Sequence, residues 1–378
     1  MHSNYFLWVI LTYTAQAQKF HGYESAFSFD AGLGHHPRWM QDLPDDVPLS
    51  SLSIPGTHDS MSYMIPSDYL RCQNWNLSMQ LEAGIRYFDI RARLREDELQ
   101  IYHAHIYTGF SLTNVLLTMF EFLRRNPSEA IIMRLKEEGK PIGKSNTVSF
   151  EDAFKQHHGT DPHTAAGGSK HVLKFDQAAP LPLLGDIRSK ILIVQQFPDE
   201  DGPYGLKWGG KQIISQDNWI TPSLFHLAEK WIAIRNSIEL AATADHDNSV
   251  LYITHTSTAV GVLPIEAAAG TVNRTVTGMN DMTGQWIEYL EDVPEATRTG
   301  VVVFDFPGRR LIDAVLRLNK PLERKPQFGG QCLSNWAHVE SYVTIKLSSS
   351  TDLIQHYITL VQEPASEAKA MSVRDPRR

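Results

Sequence analysis

A histidine and an aspartate stand side by side at the end of a short apolar stretch, where they could transfer protons together. His58 and Asp59 follow Ile54-Pro55-Gly56-Thr57. Pro55 and Gly56 end a strand and allow a sharp bend, so both side chains are expected to face a cleft. Barrel and open α/β enzymes keep their catalytic groups at the carboxyl ends of strands. Taken alone, a His-Asp dipeptide is more typical of an ordinary surface.

Further residues of the same chemical types stand at the ends of other predicted strands. Asp89 and Arg91 are two positions apart in a run with strand propensity, so they share one face. His103 ends the next predicted strand, and Asp305 ends the last. One histidine can remove a proton and another can return it, while an arginine stabilises negative charge on phosphoryl oxygens. This combination suits cleavage of a phosphodiester by an internal hydroxyl.

Charged residues also alternate with apolar ones at the end of the fourth predicted strand. Ile132, Arg134, Lys136 and Glu138 share one face, which places polar groups inside whatever the strands enclose. Charge on an inward face is costly unless it is paired or used. A salt-bridge layer inside a barrel and contact with a ligand both fit this pattern.

Strands and helices that alternate along the chain must position these residues. We expect helices at 112–125 and 221–242, a loop excursion at 145–182, and a turn-rich loop at 199–210. Eight predicted strands with helices between several of them give an α/β protein, a single TIM-type (βα)8 barrel with irregular later connections. The strands are 52–54, 84–93, 99–103, 130–135, 191–194, 212–215, 250–253 and 301–304.

The composition excludes some partners. The chain has 378 residues, of which 42% are hydrophobic and 21% charged, and a formal net charge of −8. No basic stripe is available for nucleic acid, and bulk electrostatics do not favour anionic membranes, so lipid contact would need apolar or aromatic side chains. Irregularly spaced histidines in the 145–182 excursion are expected to be ordinary surface residues and not metal ligands; they are His157, His158, His163 and His171.

The amino-terminal residues resemble a targeting segment. An apolar run at 5–11 and the small residues Ala15 and Ala17 predict a signal peptide over residues 1–17 and a secreted protein, against the alternative of a packed strand. Cys72 and Cys332 could form a disulfide in an oxidising compartment or remain two buried thiols. No later apolar run reaches the length of a membrane span.

Several motifs together resemble one family. They are Ser53-Ile-Pro-Gly-Thr-His-Asp-Ser60, Arg86-Tyr-Phe-Asp-Ile-Arg91, Tyr102-His103, Asn126-Pro-Ser-Glu-Ala-Ile-Ile-Met133, Leu251-Tyr-Ile253 with Thr256-Ser257, and Phe304-Asp305. In order and spacing they look like the X domain of bacterial-type phosphatidylinositol-specific phospholipase C, a PLC-like phosphodiesterase. The resemblance covers 38–318 and leaves 319–378 as an extension without an assigned role. It implies a distorted barrel that cleaves phosphatidylinositol to diacylglycerol and inositol 1,2-cyclic phosphate.

The resemblance also implies roles for the strand-end residues. His58 would be the general base on the inositol 2-hydroxyl, His103 the general acid for the diacylglycerol oxygen, and Arg91 the contact to phosphate. The carboxylates Asp305, Asp59 and Asp89 would steady His58, His103 and Arg91, respectively. Relatives that use calcium usually carry Asn directly after the first histidine, so Asp59 and Arg91 imply no metal and no other cofactor.

The implied inositol contacts match the family less completely. Lys136, Glu138 and Asp217 correspond to family positions, whereas Trp219 replaces a usual tyrosine and can stack without donating a phenolic hydroxyl. A family arginine that reaches inositol corresponds to Gln196, which removes a charge and leaves the headgroup preference open.

Two alternatives accompany this hypothesis. The first is a catalytically silent phosphoinositide-binding barrel, although a binding module needs no pair of acid and base. The second is a metal-dependent phosphodiesterase, which would need an acidic cluster where the chain has Arg91. As an enzyme, the chain would act as a monomer on phosphatidylinositol or its glycosylated form at a membrane surface. It would touch lipid through Tyr69, Trp75 or Trp208.

Overall fold

The computed structural model describes residues 18–293 and 296–323. The strands are β1 (Gln18–Phe20), β2 (Tyr23–Ser25), β3 (Ser53–Thr57), β4 (Tyr87–Arg95), β5 (Glu98–His103), β6 (Ile106–Ser111), β7 (Ile131–Glu137), β8 (Ile191–Gln196), β9 (Leu206–Lys207), β10 (Ile213–Gln216), β11 (Leu251–His255) and β12 (Gly300–Phe304). The α-helices are α1 (Leu77–Ala83), α2 (Leu112–Arg125), α3 (Phe150–Gln156), α4 (Ala165–His171), α5 (Leu184–Ile187), α6 (Leu227–Thr243), α7 (Pro264–Ala269), α8 (Met279–Leu290) and α9 (Arg309–Arg317). The predicted signal peptide and Cys332 lie outside these residues.

Eight parallel strands form a nearly closed barrel with helices around it. Their order is β10-β11-β12-β3-β4-β7-β8-β9, and each neighbouring pair is parallel. In the described part of the chain, β9 and β10 have no ladder between them, which leaves the barrel open at that seam. The antiparallel strands β5 and β6 extend from β4 outside the ring. The predicted TIM-type α/β barrel is confirmed, including its distortion.

The inward face of the ring changes from apolar to polar along each strand. Residues two apart in a strand share a face, so Ile54 points the same way as His58, and Val303 the same way as Asp305. The buried apolar cluster inside the ring includes Ile54, Tyr87, Ile132, Val194, Ile253, Val301 and Val303. The ionisable groups His58 and Asp305 therefore lie where the carboxyl ends of the strands meet.

The helices cover the outer face of the ring. Helix α2 has the predicted bounds, begins with a capping box between Ser111 and Asn114, and ends before Pro127. Its apolar side chains recur at helical spacing and are buried; they are Leu112, Val115, Leu116, Met119, Phe120, Phe122 and Leu123. Among the described helices, none is long and apolar enough to cross a bilayer.

Four predicted elements differ from the structure. The stretch 99–103 is β5, an antiparallel strand outside the ring, and β9 takes its place as the eighth barrel strand, inside the predicted turn-rich loop. The excursion 145–182 contains α3, capped by the Ser149 side chain, and α4. Helix α6 begins at Leu227 and not at 221, because the Thr221 amide donates to the Ala259 carbonyl and Ile220 bridges to the same loop.

The excursion's histidines are less exposed than predicted. His157 and His171 are buried, which makes the expectation of surface residues wrong for both. His157 Nδ1 lies 3.1 Å from Thr164 Oγ1, and His171 Nδ1 donates to the Ser189 carbonyl. His171 also stacks on Phe120. Both are core histidines with ordinary hydrogen-bond partners.

Candidate active site

The turn after β3 places His58 above the centre of the ring. Gly56 lies on the inner face, where a Cβ would come within 2.9 Å of the Tyr87 side chain, so glycine lets β3 and β4 approach closely. The His58 amide donates to the Phe304 carbonyl, and the next residue, Asp59, has φ of 40°. A left-handed conformation in a non-glycine residue is strained and is typical of functional turns.

His58 is held as a neutral base by its surroundings. Its Nδ1 lies 2.8 Å from Asp305 Oδ1, at the end of β12. Burial and the nearby Arg91 guanidinium lower the pKa of His58 well below its ordinary value. Burial and the Asp59 carboxylate raise the pKa of Asp305, so the two groups gain from sharing a proton across their short contact. The Nε2 lone pair is then available to accept a proton.

Arg91 and Asp89 form the second part of the site, on β4. Arg91 donates from Nε and Nη2 to Asp89 Oδ2 at 3.0 and 2.8 Å. Burial opposes ionisation of Asp89, but the guanidinium groups of Arg91 and Arg134 hold its pKa well below its usual range. The arginine is therefore fixed in place by a permanent negative charge, and its Nη1 remains directed at other groups.

His103 approaches the same place from outside the ring, at the end of β5. Its Nδ1 donates to the Leu70 carbonyl at 2.7 Å, which orients the ring and directs Nε2 into the site. That Nε2 lies 3.2 Å from Asp59 Oδ2. The rings of His58 and His103 are 6.2 Å apart between centroids, so one small group can lie between them.

Three nitrogens converge on a single carboxylate oxygen. Asp59 Oδ2 lies 3.2 Å from His58 Nε2, 3.2 Å from His103 Nε2 and 3.1 Å from Arg91 Nη1. Burial raises the pKa of Asp59 to about 6, although Arg91 and His103 act in the opposite direction. The site thus holds an anionic oxygen between two histidines and a guanidinium, an arrangement that can stabilise negative charge on a phosphoryl oxygen.

Lys136 and Glu138 lie next to this cluster at the end of β7. Lys136 Nζ is 2.7 Å from Glu138 Oε2, and Glu138 Oε1 is 3.6 Å from Arg91 Nη1. Glu138 also accepts a hydrogen bond from the Ala104 amide beside His103. The salt bridge, one of the two interpretations of this charged face, is therefore present. It lies at the mouth of the ring, where a ligand could reach it.

Asp217 and Trp219 lie on the other side of the mouth, after β10. They line a cavity of about 340 Å³ together with Thr221, His226 and Lys230. Asp217 Oδ2 is 3.7 Å from Arg134 Nη2, which connects it to the inner face of β7. Trp219 is half exposed and shares the cavity with Asp217. Asp217 thus lies close to the charged residues of the inner face, and Trp219 lies at the edge of that group.

Sequence reasoning did not assign a role to three further buried residues at this end. Arg134 faces inward as the alternation along the strand predicts, and it donates to Gln196. His255 is the last residue of β11, and His58 and Asp305 directly follow β3 and β12 in the same way. The alternation of side chains along a strand was therefore sufficient to predict that His255 belongs to the site. Lys230 of α6 donates to the carbonyls of Asn218 and His255, and burial lowers its pKa to about 7.

The predicted rim aromatics differ from one another in exposure. Tyr69 is 75% exposed, as expected for a residue that touches lipid. Trp75 donates to the Phe29 carbonyl and packs on the core, while Trp208 lies over the Arg134 guanidinium. Lipid contact through the two tryptophans stays a prediction; both are partly exposed, and interactions inside the protein hold them in place.

Within the described residues, one group of side chains has ligand atoms close enough together to hold a metal ion. Ligand atoms of His58, Asp59 and Cys72 lie within 4.8 Å of one another. Burial and Asp305 raise the pKa of the Cys72 thiol well above its ordinary value, so it stays protonated and is a poor ligand. The Arg91 guanidinium beside Asp59 repels a second cation. These donors fit a hydrogen-bonded acid–base site better than a metal centre.

Comparisons with known proteins agree with this geometry. The sequence model of the family described as "Phosphatidylinositol-specific phospholipase C, X domain" matches residues 47–197. A 1-phosphatidylinositol phosphodiesterase of Listeria monocytogenes is 31% identical over 303 residues, which cover 75% of this chain and 85% of that protein.

Solved structures give the same result. The phosphatidylinositol-specific phospholipase C of L. monocytogenes is 30% identical, with a TM-score of 0.60, and the match covers 75% of this chain and 98% of that chain. A Staphylococcus aureus phosphatidylinositol-specific phospholipase C shares the fold at 20% identity, with a TM-score of 0.58 over 74% of this chain and 97% of that one. The chain belongs to the phosphatidylinositol-specific phospholipase C family.

Proposed function

We propose that this chain is a phosphatidylinositol diacylglycerol-lyase, which cleaves the glycerol–phosphate bond through attack by the inositol 2-hydroxyl. The products are diacylglycerol and inositol 1,2-cyclic phosphate. The observation that carries the proposal is the convergence of His58 Nε2, His103 Nε2 and Arg91 Nη1 on one anionic oxygen. Listeria monocytogenes has a relative named 1-phosphatidylinositol phosphodiesterase, which supports the substrate class.

Each step of the reaction has a residue in position. Neutral His58 removes the proton of the 2-hydroxyl at Nε2, and Asp305 stabilises the positive charge that develops on the ring. The oxygen attacks phosphorus, and Arg91 stabilises the charge on the phosphoryl oxygens while Asp89 fixes its position. Protonated His103 gives its proton to the diacylglycerol oxygen, and the bond to phosphorus breaks. Asp59 stabilises the imidazolium form of His103 before this transfer.

Headgroup contacts surround this cluster in the proposal. Lys136 and Glu138 bind ring hydroxyls from β7, since both reach the mouth beside Arg91. Asp217 accepts hydrogen bonds from the other side, and Trp219 offers an apolar face for stacking. No metal takes part, because Arg91 supplies the positive charge at the phosphate.

A membrane surface is the expected location of the substrate. Exposed apolar side chains follow the carboxyl ends of the strands, where the site opens; they are Met64, Tyr69, Trp219, Ile220, Phe225 and Val260. Ile220 and Val260 come from neighbouring loops that bridge to each other. Apolar groups on a protein of negative net charge suit peripheral contact with lipid through burial of apolar area.

The proposal extends to the organisation of the chain. The barrel domain is residues 38–318, residues 1–17 direct secretion, the protein acts as a monomer, and no role is assigned to 319–378. The small residues at Ala15 and Ala17 support the signal peptide. The acid–base pairs disfavour a silent binding barrel, since a binding module has no need of His58 and His103 in hydrogen-bonded partnership.

Phosphorus NMR of the products tests this proposal directly. The full chain is incubated with phosphatidylinositol vesicles in excess EDTA, and a cyclic phosphate signal is expected at the rate seen without EDTA. Turnover that requires added calcium would overturn the role of Arg91. Folded protein without turnover, with or without calcium, would favour the silent barrel.

A further inference from the structure

Two sequences of the chain have the form Asn-X-Ser/Thr with a middle residue other than proline, and the proposed reaction uses neither. Asn76-Leu77-Ser78 begins helix α1, and Asn273-Arg274-Thr275 lies in the turn between helices α7 and α8. Such an asparagine is the acceptor of N-linked glycans in secreted proteins when it lies on the surface. We propose that Asn273, and not Asn76, is a glycosylation site. This inference goes beyond the proposed reaction and depends only on the proposed secretion.

The turn around Asn273 is a defined surface feature. Asn273, Arg274 and Thr275 are all exposed. The Thr271 amide donates to the Val276 carbonyl at 3.2 Å, and the Val276 amide donates to Thr271 Oγ1 at 3.1 Å, which closes the turn. Arg274 has φ of 58°, so the chain reverses at the middle of the sequence. All three residues that a transferase must hold are therefore presented together on the outside of the protein.

The side chain of Asn273 is arranged for reaction at its nitrogen. Thr275 Oγ1 donates to Asn273 Oδ1 at 2.8 Å, and the Thr275 amide donates to the same oxygen at 3.3 Å. Hydrogen bonds to the oxygen polarise the amide group and make Nδ2–H more acidic. Asn273 Nδ2 itself donates to no residue in the part of the chain that the structure describes. The nitrogen that must form the new bond is thus free, and the hydroxyl that the motif requires already contacts the amide.

The proposed step is a group transfer from a lipid-linked oligosaccharide, a polyprenyl diphosphate that the secretory compartment supplies. Asn273 Nδ2 forms a bond to the anomeric carbon of the first sugar and loses one of its two protons to a base of the transferase. The bond from that carbon to the diphosphate oxygen breaks, and the lipid diphosphate leaves with the electron pair. The step needs no oxidant or reductant.

The turn is attached to the body of the protein without using its acceptor. Arg274 Nη2 forms an ion pair with Glu24 Oε2 on β2, and Glu24 also pairs with Lys19 at 2.8 Å. In the described structure, the hydrogen bonds and ion pairs of residues 271–276 involve no residue of the proposed catalytic cluster. A glycan on Asn273 therefore leaves that cluster intact, and its enzymatic removal should not change the rate of cleavage.

Asn76 differs because its sequence is part of a helix. Asn76 Oδ1 accepts from the Met79 amide at 2.9 Å and caps α1. The middle residue, Leu77, is 3% exposed and packs in the core, and Ser78 lies inside the helix. A transferase cannot hold three consecutive residues of which the middle one is buried, so Asn76 is expected to stay unmodified.

Mass spectrometry of the secreted chain tests the proposal. The full chain is expressed in a eukaryotic host that secretes glycoproteins, both as it stands and with a leader of the host fused before Met1. Enzymatic release of the glycan converts its asparagine to aspartate, which locates the site in a peptide. A glycan is expected on Asn273 and not on Asn76. It should be lost in Asn273→Gln and Thr275→Ala, and retained in Thr275→Ser and in Asn76→Gln, the matched control.

Each other outcome has a defined meaning. A secreted native chain with unmodified Asn273, or with a glycan on Asn76, overturns the inference. The native chain alone carries this observation, so a variant that fails to fold does not leave the proposal untested. If only the form with the added leader is secreted and carries the glycan on Asn273, the proposed signal peptide is wrong and this inference stands. A glycosylated chain that does not cleave phosphatidylinositol contradicts the proposed function and leaves this inference intact.

Discussion

Two buried arginines at opposite ends of the barrel show how differently the two ends are built. Arg86, just before β4, donates to the carbonyls of Leu81, Ile85, His36 and Pro37 and to the Glu129 carboxylate. Arg134, whose guanidinium lies near the strand carboxyl ends, leaves Nη1 without a hydrogen bond to any described residue. At the amino ends of the strands, which we call the saturated end, the guanidinium of Arg86 is fully hydrogen-bonded to the protein and maintains the fold. At the carboxyl ends, which we call the open end, Arg134 keeps an unused donor for a ligand.

The largest expected effect is the loss of activity at the open end. His58→Ala and His103→Ala should each lower the rate of cyclic phosphate formation by about 10²- to 10⁴-fold, because each removes one proton transfer. Phosphorus NMR of phosphatidylinositol vesicles measures the rate. His255→Ala, a neighbouring buried histidine outside the proposed proton transfers, is the control and should lose much less. Equal losses in all three variants would contradict the assigned roles.

The complementary prediction concerns the saturated end. Arg86→Met should lower the free energy of unfolding by about 3–5 kcal/mol, because it leaves the Glu129 carboxylate buried without its partner. Urea denaturation measures the change, and kcat of the folded fraction should remain native. Arg310→Met removes an exposed ion pair with Glu288 and should cost about 1 kcal/mol or less. If Arg86→Met lowered the free energy of unfolding by less than Arg310→Met does, the proposed difference between the two ends would be contradicted.

Much of the site could be predicted because strand parity fixes side-chain direction. His58 and Asp305 lie two or four positions after apolar residues on the inner face, and Asp89 and Arg91 share that face. Their contacts in the structure follow from this alternation once the strands are parallel and adjacent. The sequence also identifies His103 from its position at a strand end, although that strand, β5, lies outside the ring and not in it.

Other features depend on contacts between distant segments, which parity does not reveal. Strand β9 has only two residues, and it forms because its backbone pairs with Val194 and Gln195 of β8. Helix α6 begins late because residues 220–221 bond to the loop after β11. The contact between Arg134 and Gln196 requires both the β7–β8 register and the reach of a long side chain. Such long-range terms override local propensity.

A smaller effect concerns the pH dependence of the catalytic cluster. Burial raises the pKa of Asp59 from an ordinary 3.8 to about 6, and only its ionised form can stabilise protonated His103. The rate should therefore fall as the pH decreases through about 6, approaching tenfold per pH unit below it. Rates measured between pH 4 and 8 show this decrease at low pH. The residual activity of the Asp59→Asn variant should not decrease in this way.

The same group affects stability with the opposite sign. Between about pH 4 and 6 the folded chain keeps the Asp59 proton that the unfolded chain has released, so this group's contribution to stability decreases as the pH rises through that window. The difference in unfolding free energy between the native chain and Asp59→Asn should follow this trend. A difference that is constant over the window would mean that Asp59 titrates normally, and the acid limb would then belong to another group.

The smallest effect belongs to the surface around the open end, where the substrate must be taken from lipid. Phe225 is 93% exposed just before α6, and Leu240 is 47% exposed near the other end of that helix, about 20 Å away. Phe225→Gln should weaken binding to phosphatidylinositol vesicles by about tenfold, since burial of a phenylalanine contributes about 1.5–3 kcal/mol and insertion is incomplete. Leu240→Gln should leave vesicle binding unchanged.

Sedimentation with vesicles measures binding, while hydrolysis of a water-soluble short-chain substrate should be native in both variants. If the two substitutions weaken vesicle binding equally, the membrane does not meet the open end preferentially, and delivery of the headgroup to His58 and His103 would need another route.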